Sequence, residues 1–139
     1  MSQYEPFNGT FAELGANIET SIKELNIKGY DVQRIGTTDI NFISKAATIH
    51  IALRPSGVDN EAVNMLSKDY VAECYIVANN SLKTFEREIE TERIATQILA
   101  VLKNLGGFAV NAFEPISIET TKTTYTVFLL AVSFKINEY

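Results

Sequence analysis

The stretch from Tyr70 to Leu105 most constrains the fold, because a strand pattern runs directly into a long helix pattern. Residues 70–78 are β-branched, aromatic or small, which is typical of a strand that is buried on at least one face. The Asn-Asn-Ser turn at 79–81 offers an N-cap at its second or third residue. No proline or glycine interrupts the next 24 residues, after which a Gly-Gly pair favours a helix end. The segment predicts a buried strand and a helix over residues 81–105, about 36 Å long.

A second helix is predicted near the N-terminus. Thr10 and Glu13 have capping-box spacing, in which each side chain accepts a hydrogen bond from a backbone N–H at the start of a helix. Apolar residues then recur every three or four positions, which indicates one buried face. We expect a helix over residues 10–27 that Gly29 closes, preceded by an extended arm at residues 1–9. Packing on a sheet is the favoured interpretation, and binding of a partner is the alternative.

Four further segments have strand patterns. Residues 30–35 and 47–54 are short, and apolar residues alternate with polar residues in the second of them. Residues 108–120 contain Pro115, which predicts an edge strand or a bulge. Residues 124–136 are apolar on both faces, so we expect helices to cover one face and a neighbouring subunit to cover the other.

Two stretches lack a clear period. Residues 37–45 contain poorly phased apolar residues, and they predict neither a helix nor a strand. For residues 55–68 we expect a projecting loop, because Pro, Gly, Asp and Asn weaken local structure there; two helical turns are the alternative. The apolar side chains of this stretch are candidate partner contacts: Val58, Val63, Met65 and Leu66.

The two halves of the long helix differ in character. In the first half we place Leu82, Phe85 and Ile89 on the inner face, surrounded by charged residues. The second half is apolar over a wide face and is expected to anchor the helix to the core. The charged half is therefore free to meet solvent or another subunit. Its candidate partner contacts are Lys83, Glu86, Arg87, Glu90 and Arg93.

Composition and charge disfavour several classes of protein. The 139 residues correspond to a single domain, residues 1–139, which is large enough to build its own core. The net charge of −5 is spread evenly along the chain, so specific nucleic-acid binding through phosphates is disfavoured. No apolar run is long enough to cross a membrane, and no secretory leader is recognisable, so we expect a soluble protein without membrane contact.

The sequence offers little catalytic chemistry. His50 and Cys74 are the only residues of their types, and they would form a nucleophilic pair only if their strands were neighbours. A packed cysteine and a strand histidine are the commoner roles of such residues. Metal binding needs more His, Cys or closely spaced acids than this chain offers. We therefore predict no catalytic residue, no metal, no cofactor and no enzymatic activity.

The order of elements is similar to that of the tail terminator (tail completion) proteins of long-tailed bacteriophages. Two parts of the sequence carry the resemblance: the strand at 73–78, which runs directly into the helix at 82–105, and the final pair of strands, which ends at 129–136. The resemblance covers most of the chain and rests on element order, so it assigns no individual binding residue.

The resemblance implies a structural virion protein that is assembled in the host cytoplasm. Such a subunit would form a homo-oligomeric ring, a hexamer in the family, at the head-proximal end of the tail tube. There the ring would end tube growth, contact the tail tube protein, and join the tail to a neck or head-completion protein. DNA would pass through the ring without specific binding. The resemblance does not distinguish a contractile from a non-contractile tail.

The fold class that we predict is α+β, with a single largely antiparallel or mixed β-sheet and both helices packed on one face. Another phage neck, tube or baseplate subunit is the nearest functional alternative. A small-molecule-binding or enzymatic α+β domain is the alternative from a different class. An enzyme would need several titratable groups in one pocket, whereas an assembly protein would need exposed apolar and charged surfaces.

Overall fold

The structure, a computed structural model, describes residue 7 and residues 9–36, 46–62, 65–119 and 123–138. Within these residues the chain forms two helices and one five-stranded sheet. The elements, in chain order, are α1 (Phe11–Glu24), β1 (Asp31–Arg34), β2 (Thr48–Ala62), β3 (Met65–Val77), α2 (Thr84–Asn104), β4 (Ala109–Glu119) and β5 (Thr124–Glu138).

The sheet is mixed, and its strand order is β1-β2-β3-β5-β4. Only β1 and β2 are parallel, whereas every other neighbouring pair is antiparallel. At one end, Phe7 of the N-terminal arm extends the sheet, because its N–H donates to the carbonyl oxygen of Lys135 at 2.9 Å. The predicted α+β class with a single sheet is confirmed.

Helix α1 begins as predicted. The Thr10 hydroxyl accepts from the Glu13 N–H at 3.2 Å, and the Glu13 carboxylate accepts from the Thr10 N–H at 3.3 Å, which completes the capping box. The helix ends at Glu24, three residues before the predicted end at residue 27, because the backbone turns left-handed at Asn26 (φ 51°). Gly29 lies in the following turn and does not close the helix.

Helix α2 begins later than predicted and ends as the glycines indicate. Its N-cap is Lys83, and the Asn-Asn-Ser segment forms a preceding turn in which the Ser81 N–H donates to Asn79 Oδ1 at 3.0 Å. At the other end, Gly106 is left-handed (φ 108°), and the Gly107 N–H donates to the Leu102 carbonyl at 2.9 Å. These bonds form a Schellman motif, which satisfies carbonyl groups that the helix end leaves free.

Both helices pack on the same face of the sheet and enclose one core. The strands contribute alternate residues to this core, so one face of β2, β3 and β5 is buried beneath the helices. The largest fully buried side chains from the two helices are Leu14, Ile18, Ile22, Ile94, Ile98 and Leu102. The predicted placement of both helices on one face is therefore correct, and the second half of α2 is the anchoring half.

The predicted loop at residues 55–68 is wrong wherever the structure describes it. Strands β2 and β3 continue through this stretch as a long antiparallel hairpin, which pairs Gly57 with Asp69 and Ala62 with Met65. Most of these pairs join residues of the segment to one another, such as Val58 to Lys68, and β3 also pairs with the end of β5 there. Register shifts near residues 55–57 and 59–62 accommodate the poor strand formers. Residues 63–64 and 37–45 lie outside the described residues.

The opposite face of the sheet carries a second, smaller apolar cluster. Val77, Tyr125 and Val127 are buried there, and Ala46 and Tyr75 are among the residues that pack against them. Strand β5 is thus apolar on both faces, as predicted. These side chains are buried within the single chain, however, so the expectation that a neighbouring subunit must cover them is wrong. A subunit contact has to be sought on other surfaces.

Candidate functional site

The structure removes the one nucleophilic pair that the sequence offered. His50 and Cys74 do lie on adjacent strands, but the strand register pairs Cys74 with Ile51 and His50 with Tyr75. Successive side chains of a strand point to opposite faces, so the thiol faces the helices and the imidazole faces away from them. Burial also raises the pKa of the Cys74 thiol to about 12, which keeps the thiol protonated. The two groups cannot act together.

The described residues hold no group of three or more His, Cys, Asp and Glu side chains placed to bind a metal ion. No helix among those residues is long and apolar enough to span a membrane.

His50 gives the fold a pH dependence. Its side chain is 3% exposed, its Nε2 is hydrogen bonded to the Thr48 hydroxyl at 3.0 Å, and burial lowers its pKa below the ordinary value of 6.5. The unfolded chain therefore binds a proton at higher pH than the folded chain does. We expect the free energy of unfolding to be fully retained above pH 6.5 and to fall as the pH drops below it.

Urea unfolding of the wild type and of His50→Gln between about pH 7.5 and about pH 5.5 checks this expectation around the ordinary histidine pKa. The wild type should lose stability across this interval, and His50→Gln should lose less because it removes the titrating group. Equal slopes in the two proteins would contradict the role of His50.

Exposed apolar side chains define two surfaces on the helix side of the molecule. The α2 ridge consists of Phe85 and Ile89, which are 60% and 65% exposed. The β4 shelf consists of Phe108, Val110 and Phe113. Large apolar side chains at such exposure are costly to leave in water when they cluster, so grouped surfaces of this kind mark contact sites for other proteins.

The α2 ridge corrects the predicted inner face of the helix. Phe85 and Ile89 lie one turn apart on the outer face, whereas Arg87 and the buried Thr91 occupy the inner side. Arg87 donates to the carbonyl oxygens of Leu82 and Asn80, both at 2.8 Å. The two bonds from Arg87 hold the turn before α2 against the inner side of the helix. With Arg87 on that side, Phe85 and Ile89 lie on the outer side.

The charged candidate residues on α2 differ in the hydrogen bonds and ion pairs that they make within the chain. Arg87 holds the preceding turn, and the Glu86 carboxylate accepts from the Lys83 N–H at 3.0 Å at the helix start. Glu90 accepts from the Tyr30 hydroxyl at 2.5 Å and lies 3.7 Å from Arg93. Lys83 and Arg93 are exposed. The role of these residues as partner contacts stays a prediction.

Tyr30 fastens the turn before β1 to the start of α2. Its hydroxyl donates to Glu90 and accepts from the Asn79 N–H at 3.2 Å. Burial and the neighbouring Glu90 carboxylate raise its pKa above the ordinary value of a tyrosine, so the hydroxyl remains a donor. The groove beside this network is lined by four titratable side chains, Lys28, Tyr30, Glu90 and Arg93, together with Gln97.

The β4 shelf lies where α2 leaves the outer strand uncovered. Phe113 packs edge-on against Phe128, with ring centroids 4.7 Å apart, and remains 39% exposed. Val110 is 44% exposed on the same face, at the start of the bulge at residues 110–112. Glu114 and Glu119 add exposed negative charge to this strand. Strand β4 therefore combines the apolar shelf with acidic side chains, of which Glu114 lies on the opposite face of the sheet.

Sequence reasoning missed the β4 shelf and the Tyr30 network. The signal for the shelf was available, because Pro115 marked the segment as an edge strand and its apolar side chains include two phenylalanines. No local sequence pattern predicts a hydrogen bond between residues 30 and 90, because only the tertiary structure brings them together.

The candidates in the hairpin lie on paired strands. Val58 pairs with Lys68 between β2 and β3, and Leu66 pairs with Glu138 between β3 and β5. Met65 pairs with Ala62 next to the hairpin turn. Val63 lies outside the described residues. As partner contacts, these four residues stay a prediction.

Comparison with known proteins assigns no family. No protein-family model matches the chain, and a search of curated proteins finds no significant match. The functional conclusion below therefore depends on the surfaces just described and on the order of the elements.

Proposed function

We propose that this chain is a structural subunit of a ring at the head-proximal end of a phage tail. In this role the ring ends growth of the tail tube and joins the tail to the neck. The supporting observation is the presence of two exposed apolar surfaces, the α2 ridge and the β4 shelf. Such surfaces are what an assembly protein needs.

The two surfaces suit a closed ring better than a simple dimer. The α2 ridge lies on the outer side of a helix, whereas the β4 shelf lies at an edge of the sheet, so they differ in shape and chemistry. A contact that joins the β4 shelf to an unlike surface of the next copy is heterologous, and such contacts close into rings when the rotation between subunits allows it. The net charge of −5 would also disfavour trapping of DNA that passes through the ring.

The proposal is tested in two steps. Native mass spectrometry and class averages from electron microscopy should show a closed ring, alone or on addition of tail tubes purified from the same phage. With tubes present, a collar should appear at one end only. A protein that remains monomeric and never decorates a tube end contradicts the proposal. Binding along the tube or at the opposite end would instead support the tube or baseplate alternative.

A further inference from the structure

We infer that the ring contact joins opposite edges of the sheet: the β4 shelf of one copy packs against β1 and α1 of the next copy. This inference rests on the proposed ring and names the surfaces that would join its subunits. Three features of the described residues carry it, namely the strand order, the side chains at the two edges, and the charges beside them.

The strand order places the two surfaces at opposite ends of one sheet. Strands β1 and β4 are its edges, and no described strand pairs with the outer side of either. Counting the parallel and antiparallel pairs across the sheet shows that β1 and β4 run in opposite directions. In a copy displaced sideways, β1 would thus lie antiparallel to β4. Outward-pointing backbone groups of an edge strand are ready to pair with another strand, which would favour this arrangement.

The register also sets where the two edges meet. Following the paired residues across the sheet places Gln33 of β1 level with Glu114 of β4; the intermediate partners are His50, Tyr75 and Leu129. Pro115 and the bulge at residues 110–112 interrupt regular pairing along β4, so an added strand would have to be short. Strand β1 is only four residues long and meets that requirement.

The side chains at the two edges are complementary in size. On β4, Val110 and Phe113 project from the face that the helices cover elsewhere, but α2 does not reach over them. On the opposite edge, α1 lies next to β1 and presents the exposed small residues Ala12 and Ala16, whereas Gly15 is buried beneath the Arg34 side chain. Small side chains on a helix allow a large apolar side chain to approach closely. Val110 and Phe113 of one copy could therefore pack against the exposed alanines of α1 in the next copy.

The charges at the two edges are also complementary. The exposed charged side chains of β4 are acidic, Glu114 and Glu119. Beside β1, the bases Lys28 and Arg34 and one acid, Asp31, are exposed, and Arg34 lies over the Phe11 ring at 5.9 Å from its centroid. Opposite charges across a contact fix its register and disfavour pairing of β4 with itself, since two acidic edges would repel each other.

Disulfide cross-linking tests the contact in the full chain. Pairs of substitutions would combine Gln33→Cys with Ala112→Cys, Glu114→Cys or Ile116→Cys, which lie on the same face of the sheet and span a register shift of two residues either way. Within one chain β1 and β4 are four strand spacings apart, about 19 Å, too far for a bond that needs Cα atoms within about 7 Å. Native Cys74 is fully buried, so mild oxidation leaves it unreacted. We expect a ladder of covalent oligomers from at least one pair.

The controls separate this inference from the proposed ring. Each single-cysteine variant should give no ladder, and Thr96→Cys on the outer side of α2 should not cross-link to itself. A ring that forms by mass spectrometry while none of the three pairs cross-links would overturn the edge contact and leave the ring standing. Efficient self-cross-linking through Thr96→Cys would place α2 against α2 and would also overturn it. Monomers that neither cross-link nor decorate tubes would overturn both.

Discussion

Leu102→Asp should leave no cooperatively folded protein. Leu102 is fully buried between α2 and the sheet, and its carbonyl group also accepts the bond that ends the helix. The change removes about 1.5–3 kcal/mol of apolar burial and adds an unpaired buried charge, which costs several kcal/mol more. The sum is comparable with the whole stability of a typical domain, about 5–15 kcal/mol. Circular dichroism melts should therefore show no cooperative transition.

Ala100→Asp is the matched control for this prediction. It introduces the same side chain two residues earlier, on the exposed side of the same helix. Lower helix propensity and the nearby helix C-terminus should together cost about 1 kcal/mol, so the variant should still melt cooperatively. If the two variants melted alike, the orientation of α2 over the sheet would be wrong.

Val110→Asp should abolish self-association without unfolding the subunit. Val110 is 44% exposed, so the isolated fold should lose about 1 kcal/mol or less from the change in strand propensity. In the proposed contact, however, the new carboxylate would be buried against the next copy among the apolar side chains of the β4 shelf. Native mass spectrometry should then show monomers, and tail tubes should carry no collar.

Thr96→Asp tests whether this loss is specific to the β4 shelf. It adds the same charge to an exposed position on α2, outside the shelf, and should leave the ring intact. A Val110→Asp protein that still forms rings at wild-type concentration would contradict a contact through the shelf. Unfolding of Val110→Asp, visible in the same melts, would point to a structural role for this side chain in place of a contact.

Several features of this chain are decided by local chemistry, and the sequence predicts them correctly. The capping box of α1, the helix end at the glycine pair and the edge position implied by Pro115 each depend on residues within one turn of one another. The spacing of apolar residues likewise predicts the order of the elements and the alternation of side chains between the two faces of β2 and β5. The α+β class follows from these local patterns.

The candidate surfaces depend on contacts that no local pattern contains. Phe85 and Ile89 have a spacing that suits a buried face, but Arg87 occupies the inner side because the carbonyls of the preceding turn lie there. Their exposure was therefore not predictable from periodicity, which records that a face is apolar without recording what covers it.

By itself the sequence determined the kinds of elements, their order and most of their ends, because propensity, capping and side-chain period act over a few residues. Only the tertiary structure decided that residues 55–62 pair with β3, that the second face of β5 is buried within one chain, and that β1 and β4 are the free edges. The physical reason is that backbone pairing and apolar burial are satisfied by partners distant in sequence. Strand order, and with it the proposed contact surface, is therefore a property of the folded chain.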